Sequence, residues 1–370
     1  MATGIERFPR TVSAIEEGFG DGLHLGAQVY VSQDGEALGD FALGEAQRGV
    51  PMTADTLMLW QSCTKPIVAV AAGRLWERGL LDWDDPVAKT IPEFGVHGKE
   101  AITLRHILTH TSGFRYVMLR WFSQTWEMNF ERIRNARLEP GWVPGEKAGY
   151  HSATSWFILA EVIRRLDGRP IEQQAREDIF LPLGMDDSWL AMSPERYHEY
   201  DLRIGPTFDT SNGEPKPLDL VDDEDGATRA RPGSSGRGPI RELGRFYEAL
   251  LFRGTWNGAT ILSPQTVEAM TARHRTGLFD HTFQCVVDWG LGFLVDSSQY
   301  EAKNFPYGFG PHASRRTFGH GGHQTSISYC DPESRLVVAI VANGMPGEQA
   351  HNRRFRAINA AVYEDLGLGA

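Results

Sequence analysis

Cysteine is scarce in this chain: Cys63, Cys285 and Cys330 are the only three in 370 residues, at wide and unpatterned spacings. An odd, scattered set suits reduced thiols and argues against both a disulfide framework and a structural zinc site. Positive charge is also in deficit, with 37 Lys and Arg against 48 Asp and Glu and a formal net charge of -11. A phosphate-binding surface needs clustered cations, so nucleic acid is not an expected partner. Long apolar runs are missing too, and Met1 to Arg10 carries Glu6, Arg7 and Pro9 where a secretory signal would be apolar. The expectation is a cytoplasmic protein without a membrane span. The sequence shows no internal repeat or low-complexity tract. What remains is a hydrophobic content of 41%, enough for one or two cores without metals or disulfides.

The two ends of the chain read as β-structure. Ala27 to Val31 alternates partly, Gln33-Asp34-Gly35 turns, and Ala37 to Leu43 follows as a second strand. Near the other end Ser326 to Cys330, a turn at Asp331-Pro332-Glu333-Ser334, and the apolar Leu336 to Val341 form a second hairpin, with a helix expected over 348–365. The middle has helical periods at Ile102–Thr109, Ser152–Leu166 and Ile171–Ile179. Gly168 stops the second of these and Pro170 prevents its continuation. Strands at both ends with helices between them predict an α/β (α+β) fold, an antiparallel sheet flanked by helices with an inserted, mostly helical domain. The expected division is 1–85 with 240–370 for the sheet and 86–239 for the insertion. Asp209 to Gly226, rich in Asp, Glu, Pro and Gly, reads as an exposed loop.

Three segments carry chemistry. Ser62-Cys63-Thr64-Lys65 lies where an extended Leu57–Trp60 gives way to the helical Ile67, Val68, Ala71 and Leu75. Residues three apart share a helical face, so Lys65 can approach the Ser62 hydroxyl at a helix N-terminus, where free N–H groups favour developing negative charge. Pro66 falls in the first turn and costs no intrahelical bond. By itself the pattern equally describes a helix cap and a surface lysine. Tyr150-His151-Ser152 opens the next helix; a phenol with a pKa of about 10 needs a nearby cation to act as a base, and Lys65 is a candidate. An interfacial aromatic is the alternative. Phe318-Gly319-His320-Gly321-Gly322-His323 precedes a strand, and its glycines permit a backbone edge to approach a substrate and offer an N–H to an oxyanion. A glycine-rich turn would read the same way.

Together these segments resemble the serine β-lactamase and penicillin-binding-protein superfamily, most closely class C β-lactamases and family VIII carboxylesterases. Ser62-Cys63-Thr64-Lys65 matches the first motif of that family, Tyr150-His151-Ser152 matches its Tyr-x-Asn motif in the tyrosine only, and His320-Gly321-Gly322 stands in the place of Lys-Thr-Gly. Leu104 to Gly113, Leu181 to Met185 and Trp289 to Phe293 extend the similarity, which spans about 12–365. The resemblance implies that Ser62 attacks a carbonyl and forms an acyl-enzyme, that Lys65 and Tyr150 move the proton, and that the N–H groups of Ser62 and His323 form the oxyanion hole. It implies no metal and no cofactor. Whether Lys65 or Tyr150 is the first base stays open.

The departures bear on substrate. Ser152 replaces an asparagine that holds the amide side chain of β-lactams, and His320 replaces a lysine that holds their carboxylate. A histidine near its reference pKa is mostly neutral at pH 7, which favours neutral esters. The expected activity is acyl transfer from a small-molecule ester or amide to water or to an amine or alcohol acceptor. A β-lactamase or D-amino-acid amidase is the alternative, and a non-catalytic binding module on the same scaffold a lesser one. Seven aromatics between Phe114 and Trp142 either fill a core or wall an acyl pocket; the core is favoured. His106 and His110 have the spacing of a metal pair but lack an intervening glutamate. Cys63 points about 100° away from Ser62 and packs beneath it. Asp84-Asp85 and Asp222-Asp223 read as solvated carboxylates near turns rather than a glycosidase pair.

Overall fold

The computed structural model describes residues 4–300 and 305–369. Its centre is an eight-stranded, wholly antiparallel sheet assembled from the two ends of the chain. The N-terminal hairpin pairs Gly26–Gln33 with Glu36–Gln47 through the two-residue turn Asp34-Gly35, both at positive φ (52° and 82°), the geometry that matches strand twist. The first of these strands is zipped to Leu336–Ala342, which pairs in turn with Ser326–Asp331 and then with Phe318–Gly322. The hairpins expected from alternation are therefore neighbours in one sheet.

Leu336–Ala342 is buried at every residue because both faces of the sheet are covered. Val338 and Ile340 face a layer formed by helices Pro9–Gly20 and Glu348–Asp365, with Phe355, Ile358 and Val362 in the same core. Val337, Ala339 and Val341 face the opposite layer, built around helices Lys65–Glu77 and Ile240–Leu251. Close approach of the second helix requires Gly244, where a Cβ would lie 2.2 Å from the Tyr30 ring. Helix Lys65–Glu77 is buried at ten of its thirteen positions, so it is apolar nearly all round. Among the described residues no helix is long and apolar enough to cross a membrane.

Two sequence expectations are corrected. Between Asp209 and Gly226 the chain is not simply a loop: short strands Phe208–Asp209 and Lys216–Pro217 pair with each other, and helix Glu224–Thr228 is capped by Asp223. Asp222 is not solvated either. It is buried, accepting from Arg237 at 3.0 Å and from the Thr207 N–H at 2.8 Å. Gly/Asp/Pro content signals turns but not the tertiary contacts that order them.

Candidate active site

Ser62 sits in a short 3-10 turn, Gln61–Thr64, directly before helix Lys65–Glu77. Gln61 is held at φ 51°, an uncommon left-handed conformation for a glutamine. Surrounding bonds fix the turn. Trp60 N–H donates to Gly236 O at 2.7 Å, Thr64 Oγ1 donates to Gln61 O at 2.6 Å, and Ser326 Oγ donates to Trp60 O at 2.7 Å. Cys63 points into the protein and donates to His320 O at 3.0 Å, as expected for a residue packed beneath the site.

Lys65 is fully buried, and its Nζ donates to Ser62 Oγ at 3.0 Å, Ser152 O at 2.9 Å and Gly233 O at 2.8 Å. Burial lowers its pKa well below the usual 10.5, with only a small opposing effect from Cys63. Gly233 has no room for a side chain, since a Cβ would lie 2.9 Å from Ser152 O and 3.1 Å from Lys65 Nζ. No sequence pattern singled this position out.

The Tyr150 ring lies 5.1 Å from Lys65 Nζ. Its main-chain N–H donates to Asp280 Oδ1 at 3.0 Å, and the next residue's N–H donates to His110 Nδ1 at 3.0 Å. Burial raises the phenol's pKa, and the hydrogen bond with Ser62 offsets only part of that. Tyr150 is thus held as a neutral phenol, against the expectation that Lys65 would favour its phenolate. His110 serves this turn through its ring nitrogen, while His106 accepts from Thr103 N–H and caps a helix.

The glycine-rich segment is a strand rather than a turn. Phe318–Gly322 pairs with Ser326–Asp331 over five residue pairs, but on its other side Leu294–Val295 reaches only Phe318 and Gly319. His320, Gly321 and Gly322 consequently have no strand partner on that side, and the first two line the Ser62 cavity. His320 is 3% exposed, with its Nδ1 2.7 Å from Gly321 O and its Nε2 without a partner. Burial, then the charge of Lys65, lowers its pKa to about 3, so the ring is neutral. Gly322 touches the turn that carries Ser62: a Cβ there would lie 2.3 Å from Trp60 O and 2.1 Å from Ser326 Oγ. Gly322→Ala is accordingly expected to cost about 1–3 kcal/mol by overpacking and to displace the Ser62 turn, read as a lower melting temperature together with a lower kcat.

Ser62, Tyr150, Ser152, His320, Gly321 and His323 all line one cavity of about 660 Å³. Lys65 and Gly322 are not among its lining residues. None of the seven aromatics between Phe114 and Trp142 lines this cavity; Phe114, Phe130 and Trp142 are buried in the core or beside it, and Trp121 and Trp126 pack against the core. The aromatic walls are instead Tyr150 and, from a distant part of the chain, Phe283, Trp289 and Tyr307.

A covered antiparallel sheet with a Ser-x-x-Lys turn under its open glycine-rich edge defines the serine β-lactamase fold. The chain matches the Beta-lactamase family over residues 12–363 and belongs to it; it is a serine hydrolase of that superfamily. It is 27% identical over 362 residues to the esterase/beta-lactamase LipL of Mycobacterium tuberculosis, covering 91% of this chain and 81% of LipL. It is 33% identical over 221 residues to esterase EstB of Burkholderia gladioli, covering 54% of this chain and 53% of EstB. Among solved structures, a family VIII carboxylesterase superposes with a TM-score of 0.79 at 25% identity, over 97% of both chains. A penicillin-binding-protein homologue from Caulobacter crescentus gives 0.77 at 28% identity, over 96% of this chain and 97% of that one.

Proposed function

We propose that this enzyme transfers the acyl group of a small carboxylic ester through Ser62. The observation that carries the reading is the 3.0 Å contact between Ser62 Oγ and the Nζ of a fully buried lysine whose proton affinity burial has lowered. Lys65, as the neutral amine, takes the Ser62 proton while Oγ attacks the ester carbonyl. Tyr150, held as a phenol, then donates its proton to the departing alkoxide and is reprotonated from Lys65. The N–H groups of Ser62 and His323 face the oxyanion, and Ser152 lines the acyl side of the cleft. Water, or an alcohol or amine acceptor, releases the acyl group in the second half of the cycle.

Esters are favoured over β-lactams because the described cavity lining contains no Lys or Arg to hold a carboxylate. The neutral His320 stands where such a cation would be needed. The names of EstB and the family VIII neighbour agree with an ester substrate, and that of LipL gives both esterase and beta-lactamase.

The proton route predicts a pH profile. Because Lys65 works as the free amine and its folded pKa lies below 10.5, kcat/KM for a p-nitrophenyl ester should rise with pH and reach a plateau before pH 10.5. The same depression makes the folded state bind fewer protons than the unfolded one, so Lys65's contribution to stability also rises with pH between its folded pKa and 10.5. Lys65→Arg, always protonated, should remove the ascending limb and most of the rate. An unchanged profile in that variant rejects Lys65 as the base. Adding a primary amine and measuring amide against acid product then separates transfer from hydrolysis.

A further inference from the structure

The reaction as described uses one side of the cavity and leaves the wall beyond Tyr150 without a task. Phe283 stacks on the Tyr150 ring at 4.7 Å with 23° between planes, and Tyr307 follows at 6.3 Å from Phe283. Tyr307 packs against the catalytic strand, where a Cβ on Gly321 would lie 2.4 Å from its ring. The Tyr307 O–H is shared between the two Glu348 oxygens at 3.0 and 3.1 Å, and His323 Nδ1 lies 3.2 Å from Glu348 Oε1. Phe283, Tyr307, His323 and Glu348 all line the cavity that holds Ser62.

Glu348 is the single Asp or Glu among the described lining residues, and its side chain is 50% exposed. Burial raises its pKa, but the hydrogen bond and charge of His323 and the hydrogen bonds from Tyr307 and Gln324 outweigh that, leaving it below the usual carboxyl value. Its place in the first turn of helix Glu348–Asp365 favours the anion further. A carboxylate offers about four acceptor positions, and Tyr307 and His323 do not use them all. A neutral ester would leave this charge facing the cavity unused, and a carboxylate-bearing substrate would be repelled by it.

We propose that Phe283, Tyr307 and Glu348 form a subsite for a cationic ammonium group carried on the alcohol part of the ester. The inference rests on the reading of Ser62 as nucleophile and of Tyr150 as proton donor to the leaving alcohol. Because the subsite continues outward from Tyr150, it receives the leaving group rather than the acyl chain. Aromatic faces attract a cation through their quadrupole, and the carboxylate adds direct charge attraction at the half-exposed rim. During acylation the Ser62 Oγ–carbonyl bond forms and the bond from that carbonyl to the alcohol oxygen breaks. The alcohol takes its proton from Tyr150, which is reprotonated by the proton Lys65 took from Ser62, and the ammonium is unchanged. Water or another acceptor then restores Ser62.

Acetylcholine and 3,3-dimethylbutyl acetate have nearly the same shape and differ in charge, so the ratio of their kcat/KM values reads the subsite. The wild type should prefer the cation by about tenfold or more, Glu348→Gln should bring the ratio close to one, and Glu348→Lys should invert it. Calorimetry with choline provides a readout independent of turnover: binding to Ser62→Ala should be measurable and should weaken at least about tenfold in Ser62→Ala/Glu348→Gln. Equal use of the two esters by the wild type, or a cation preference that survives in Glu348→Gln, overturns the subsite. Glu348-dependent choline binding without turnover of either ester would uphold the subsite while rejecting ester acyl transfer. Turnover of both esters at equal rates without choline binding would do the reverse.

Discussion

Replacing Ser62 by alanine is expected to lower ester turnover by at least about 10⁴-fold and to abolish any covalent adduct. The expectation follows from geometry: among the described residues Ser62 Oγ is the only nucleophilic atom to which Lys65 Nζ is hydrogen-bonded, at 3.0 Å, the other two partners of that amine being carbonyl oxygens. Cys63 does not take over, because it is fully buried, points at His320 O, and has its thiol pKa pushed up to about 11, chiefly by burial. Intact-mass spectrometry after brief exposure to activated esters, methyl esters and a penicillin should show an ester-derived increment on the wild type and none on Ser62→Ala. Equal residual turnover by the two proteins would remove Ser62 from the mechanism. A persistent penicilloyl adduct would move the substrate from esters to β-lactams.

Asp280→Asn is expected to lower the unfolding free energy by about 3–5 kcal/mol, a large part of the stability of an ordinary domain. Asp280 is 0% exposed and accepts from Arg275 Nη2 and from the N–H groups of Tyr150 and Phe283, all at 3.0 Å, and from Thr282 N–H at 2.9 Å. Arg275 is buried with it and donates to Val287 O and Thr109 O, both at 3.0 Å. Asparagine keeps the size but strips the charge, leaving a guanidinium in the interior without its counter-ion. The same carboxylate joins Tyr150 to the Phe283 wall, so Asp280→Asn should also lower kcat at temperatures where the variant remains folded. A shift of the urea midpoint with an unchanged slope is the expected signature. Arg275→Met added to Asp280→Asn should recover part of the stability and little of the activity. A variant as stable as wild type would mean the pair does not anchor this wall.

Much of the candidate site was legible in the sequence because its elements are local. Ser62 and Lys65 are three residues apart at a strand-to-helix transition, and helical geometry alone brings them together. Both hairpins were legible from their alternation and turns. Helices Pro9–Gly20, Trp126–Asn135, Ile240–Leu251 and Pro264–Thr271 were not identified from the sequence. Asp222 looked solvated for the related reason that its partner Arg237 is distant in sequence. Asp280, Phe283, Tyr307, Gly233 and Glu348 belong to no local pattern. Each contacts a partner 41 or more residues away, whether Tyr150, Lys65, Tyr307 or Glu348.

The fold class, the Ser-x-x-Lys motif and the order of the three chemical segments could be read along the chain, since propensity, periodicity and short-range spacing act locally. The protonation states and the walls could not. Burial makes Lys65 a weaker base, keeps Tyr150 a phenol and His320 neutral, and burial depends on which distant segments cover a residue. The charge facing the substrate was settled in the same way. Glu348 reaches the Ser62 cavity only because the C-terminal helix packs across the sheet beside Tyr307, and no pattern confined to residues near Glu348 specifies that encounter.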